Sequence, residues 1–167
     1  MKALAVVAVG AAAAMLAWTT AAGGSLVVVP LQGSIATPTV TLNGLDQTAT
    51  ATAALSVTDS ANAGWALTAW APPPSGSSGS LGGLSVASEP TTSDCVGAGC
   101  SLPDTTGISW PVTLGATSDS ATKIYNADRH TGVGTNVIDV GFTVTVPADT
   151  RAGTYSTTIT LAVSNGP

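Results

Sequence analysis

Alternation of apolar and polar residues is the feature that most constrains this chain. Ala49, Ala51, Ala53, Leu55 and Val57 occupy odd positions, with Thr48, Thr50, Thr52, Ser56 and Thr58 between them. Phe142, Val144 and Val146 alternate with Thr143 and Thr145, and Tyr155, Ile159, Leu161 and Val163 share one parity. A period of two with β-branched residues describes strands with one face buried and one wet. Further strand candidates are residues 26–31, 40–43, 64–71, 83–87 and 109–114. Turn formers separate them: Asn43-Gly44, the polar stretch 59–64, the Pro/Gly/Ser stretch 72–79 and residues 148–153. No segment after the first twenty-odd residues sustains a helical period beyond about two turns. Many short strands with such turns predict an all-β fold, an antiparallel β-sandwich in a single domain.

The first residues read differently. Met1 and Lys2 give a cationic start, an apolar run extends to Leu16 and Ala17, and Thr19, Thr20, Ala21, Ala22, Gly23 and Gly24 are small. That order is a secretory signal peptide over residues 1–22, cut near Ala22, with the domain spanning 23–167. The apolar run is short for a membrane span, so no span is expected after cleavage. The expected location is therefore secreted or at the cell surface. About 145 residues remain, enough for one domain with a buried core.

Charge excludes some partners. Charged residues are 8% of the chain, against about 25% in an average globular protein. Without Lys2 the cations are Lys123, Arg129 and Arg151 against 9 acids. Nucleic acids and anionic membranes both need cationic patches, so neither is an expected partner. Hydrophobic residues are 44% of the chain, which is not a disordered composition.

Cys95 and Cys100 bracket Val-Gly-Ala-Gly. In an exported chain a close pair reads as a structural disulfide, with Gly97 and Gly99 letting the loop fold back. Redox pairs usually have Cys-x-x-Cys spacing, and zinc would need two further ligands where only His130 is left. No metal or cofactor is expected. Catalysis has little to work with: His130 is the single histidine, no serine sits in Gly-x-Ser-x-Gly, and Asp128 and Asp139 read as loop and strand-edge residues. The chain is read as a non-enzyme.

Tryptophans mark the candidate contacts. Trp65 and Leu67 share one strand face, and Trp65 reads as a core anchor, as does Trp110 before Pro111. Trp70 has the opposite parity and precedes Pro72, Pro73 and Pro74. Two placements are open to it: an exposed platform for sugar or peptide, or packing beneath a proline loop that is stiff at its start and loose afterwards. Residues 89–107 and 116–135 read as further irregular stretches, and loops on a rigid sandwich are where binding usually sits.

Gly64-Trp65-Ala66-Leu67 and the later Val146-Pro147-Ala148-Asp149-Thr150-Arg151-Ala152-Gly153-Thr154-Tyr155, leading into a last strand and Pro167, resemble the WxL domain of Gram-positive cell-surface proteins. The resemblance runs from about Pro38 to Pro167, and Leu161 and Val163 stand where that family has its second Trp-x-Leu. It implies Gly64, Trp65, Leu67, Gly153 and Tyr155 as structural motif residues, with Gly153 turning the chain and Tyr155 plugging the sandwich edge. It also implies non-covalent attachment to the cell wall through peptidoglycan, or to another surface glycan or protein. A second reading is a subunit of an extracellular fibre or layer. In it the apolar segment 26–31 self-associates by adding a strand to a neighbour's sheet.

Overall fold

The computed structural model of the chain describes residues 6–11, 26–32, 35 and 38–167. The expected cleavage point at Ala22 and the new amino terminus at Gly23 or Gly24 lie outside the described residues. The strands in chain order are β1 (Val6–Ala11), β2 (Leu26–Pro30), β3 (Thr39–Thr41), β4 (Gln47–Asp59), β5 (Trp65–Trp70), β6 (Ser75–Gly76) and β7 (Gly79–Ser80). They continue with β8 (Ser85–Val86), β9 (Thr91–Val96), β10 (Val112–Thr113), β11 (Thr122–Ala127), β12 (Gly134–Val146), β13 (Gly153–Thr157) and β14 (Thr160–Asn165). A single 3₁₀ turn at Ser118–Ser120 is the one helical element among the described residues. The fold is all-β, and its sheets are antiparallel except where β1 runs parallel to β13.

One layer is built on the two long strands. β4 and β12 pair antiparallel along their whole lengths, from Gln47↔Val146 to Asp59↔Gly134. β2 adds to the free side of β4, while β9 and β8 share the other side of β12. The second layer is two sheets laid along the first: β11-β5-β14, and β3-β1-β13-β6-β7. The main core fills the first of these. Leu55, Val57, Ile138, Val140 and Phe142 from the long strands meet Trp65, Leu67, Ile124, Tyr125, Leu161 and Val163. A smaller cluster fills the second, with Val40, Ala49, Leu81, Val144, Val146 and Tyr155.

The alternation explains this arrangement. In β4 the odd residues Ala49, Leu55 and Val57 are buried and the intervening threonines are half-buried or exposed. β12 keeps the same rhythm over thirteen residues. Threonines on the wet face pair across strands, Thr58 with Thr135 at 2.9 Å and Ser85 with Thr143 at 2.8 Å, which stabilises the ladder without charge.

Three expectations need correction. The stretch 89–107 is not wholly irregular, because Thr91–Val96 forms β9 along β12. Likewise β11 lies inside 116–135. It is bulged between Lys123 and Tyr125, and the bulge breaks the period-two signal. The stretch 72–79 is not loose after its prolines: Ser75–Gly76 and Gly79–Ser80 make a small hairpin whose Ser75 pairs with Ser156 of β13.

Candidate functional site

β5 carries both tryptophans of interest and is the central strand of its sheet, flanked by β11 and β14. It is therefore buried along most of its length on both faces. Trp65 is fully enclosed, its Nε1 donates to the Gly132 carbonyl at 3.1 Å, and its ring meets Tyr125 edge-on with centroids 5.8 Å apart. Gly64 has φ 75°, and a Cβ there would stand 2.6 Å from the Ala127 carbonyl oxygen. Only glycine brings the chain into β5 at this point. Leu67 is fully buried as well.

Trp70 closes the other end of β5. It is half-buried, pairs with Thr160 and bridges to Gly115. Next to it Ala71 donates its N–H to the Gly115 carbonyl at 2.9 Å. Pro72 and Pro73 are exposed, whereas Pro74 is buried. The segment is held from below: the Thr157 hydroxyl donates to the Pro72 carbonyl at 2.5 Å, and the Leu81 N–H donates to the Pro74 carbonyl at 2.8 Å. The four residues therefore divide, with Trp70, Pro72 and Pro73 offering surface and Pro74 serving as an anchor. Sequence reasoning missed Thr157, although it interrupts the apolar parity running from Tyr155 to Ile159.

Tyr155 is buried and its hydroxyl donates to the Arg151 carbonyl at 2.9 Å, tying the 148–153 turn to the strand that follows. Gly153 does not turn the chain by a left-handed backbone. Its constraint is space, since a Cβ would meet the Ser78 hydroxyl oxygen at 2.7 Å. Cys95 and Cys100 are joined, with Cα atoms 5.9 Å apart, and Gly97 and Gly99 both take positive φ inside the ring.

The remaining candidates do not assemble. Arg129 and His130 are exposed. Asp128 is half-buried and accepts a 2.8 Å bond from the Thr106 hydroxyl. Asp139 is not at a strand edge: it lies within β12, between Ala54 of β4 and Thr91 of β9. Trp110 is half-buried against the main core, ahead of β10 rather than starting it. Sequence reasoning also missed three buried polar residues, Asp59, Asn126 and Asn136, each with one side-chain oxygen lacking a protein partner. Their signal was faint, a polar residue at a core parity. Among the described residues no three His, Cys, Asp or Glu side chains gather as a metal site, and no helix is long and apolar enough to cross a membrane.

Compared with known proteins, the chain matches no family model and no curated protein.

Proposed function

We propose that this is a secreted, non-enzymatic bacterial cell-surface protein, divergent from WxL domains, that associates non-covalently with the cell wall or another surface component. One observation carries the reading: within a single strand the two indoles part, Trp65 into the core and Trp70 to a rim whose next exposed residues are Pro72 and Pro73. The hydrogen bonds from Thr157 and Leu81 fix that rim, so little ordering is needed on binding. A half-covered indole beside prolines stacks on a sugar or peptide face without charge, which suits a chain in which 8% of residues are charged.

Stacking contributes about 1 kcal/mol per ring. Affinity is then modest and nearly indifferent to salt, because few ionic contacts are screened. The test is co-sedimentation with purified peptidoglycan at low and high salt. Wild type pellets at both, and Trp70→Ala weakens binding by roughly fivefold. Binding untouched by Trp70→Ala overturns the site, and absence of binding at either salt overturns the wall as target. The fibre-subunit reading gave strand donation to residues 26–31. In the fold Leu26–Pro30 is paired with β4, and its Leu26 and Val28 are buried, so donation would first require that strand to leave its own sheet.

A further inference from the structure

The sheet β3-β1-β13-β6-β7 has an unusual second strand. Val6–Ala11 lies between β3 and β13, parallel to β13 from Val7↔Gly153 to Ala11↔Thr157 and antiparallel to β3 from Val6↔Thr41 to Ala8↔Thr39. Yet Val6–Ala11 falls within residues 1–22, the segment read from the sequence as a signal peptide that export would remove. Take it away and, among the described residues, β3 keeps no ladder partner, while β13 keeps only the pairing of Ser156 with Ser75. Two facing strand edges then stand about 10 Å apart, two sheet spacings, which is the width that one strand fills. Open edges of this kind recruit strands.

We propose that in the exported protein this gap is a strand-acceptor slot, filled by an uncharged, extended segment of a different exported polypeptide. The proposal rests on the export reading, since only cleavage near Ala22 empties the slot. The walls state the chemistry of the occupant. Val40 of β3 and Tyr155 of β13 belong to one apolar cluster with Ala49, Leu81, Val144 and Val146. Side-by-side residues in a ladder share a face. An incoming strand therefore sets every second residue over that cluster, and the rest beside the exposed Thr39, Thr41, Thr154 and Ser156. Neither wall contains Lys, Arg, Asp or Glu, so a charge pointing inward would go unpaired. Small and β-branched residues fit, as in the Val-Val-Ala-Val-Gly-Ala that occupies the position here. A second copy is the weaker donor: its comparable strand, Leu26–Pro30, is already engaged with β4.

The experiment uses the secreted protein, its amino terminus determined by sequencing, and a synthetic peptide of residues 5–12 with a solubilising tail. The expected result is a terminus near Gly23 and one peptide bound per protein. Amide exchange should slow in Thr39–Thr41 and Gly153–Thr157. A peptide N-methylated at alternate residues should bind at least about tenfold more weakly, because it cannot complete the ladder. Val40→Asp should abolish binding, and the N-methyl control reads the same contact without altering the protein. A cut terminus with no binding, or with both strands protected before peptide is added, means that β3 closes onto β13 and overturns the slot alone. Equal binding of the N-methylated peptide overturns the strand mode. Dimers that the peptide dissolves give the slot to a second copy and overturn the separate partner. Retention of Met1 overturns the export reading, and the slot with it.

Discussion

At the scale of single residues, the contrast between two tryptophans on one strand organises both stability and surface. Trp65 fills the core and spends its N–H on a backbone carbonyl. We predict that Trp65→Ala costs roughly 3–5 kcal/mol, read as a lowered urea midpoint, because the cavity sits between two rigid sheets. Trp70→Ala should cost clearly less, since its ring is already partly in water. Equal losses for the two would contradict the placement of Trp70 at a rim. Gly64 combines a positive φ with a close backbone contact. Gly64→Ala should therefore destabilise by more than about 1 kcal/mol, where an exposed glycine in open space would tolerate the change better.

At the scale of elements, the fold depends on β4 and β12 and little on the covalent ring beside them. The Cys95–Cys100 loop hangs from the end of β9, which covers only the first half of β12. Closing so small a ring contributes roughly 2 kcal/mol. Reduction should loosen that loop and leave the sandwich folded, with far-UV circular dichroism unchanged and a modestly lower melting temperature. Freshly purified, unreduced protein should show no titratable thiol, and two thiols would reject the bridge as the native state. Hydrogen exchange should be slowest in β4 and β12, which pair with each other along their whole lengths and carry second partners over part of them, and faster in the small β6–β7 hairpin.

At the scale of the whole molecule, the economy of charge has a structural basis. Two layers meet through Leu, Val, Ile and four large aromatic rings, and cross-strand hydroxyl pairs serve the outer faces. Stability should therefore change little between low and high salt, measured as the melting temperature of the purified protein, because only 8% of residues are charged. A strong salt dependence would show that charges matter more than the packing suggests. The two layers also set which surfaces are available. The Trp70 rim lies at one end of β5, and Trp65 with the buried polar residues Asn126 and Asp59 lies toward the other, so removing one should leave the other intact.

Much of the fold was legible because side-chain period is a local property. Odd-parity residues in β4, even-parity residues in β12 and the shared parity of Tyr155 with Leu161 each report one buried face, and an all-β class follows from them. The cysteine pairing was legible because the chain has two cysteines, close together in sequence, and each has only the other to bond. What sequence could not show was pairing. A strand such as β11 hides when a bulge breaks its rhythm, and β9 hides when its residues are mostly exposed and show no apolar alternation. Apolar length made the first residues read as an export signal. Only the assembled sheet showed that Val6–Ala11 lies between β3 and β13, because that sheet joins chain segments far apart in sequence. Sequence determined which residues turn inward, through a period set by the backbone of each strand. Tertiary structure decided which strands adjoin, and so whether Trp70, Pro72 and Pro73 reach the surface while Pro74 does not.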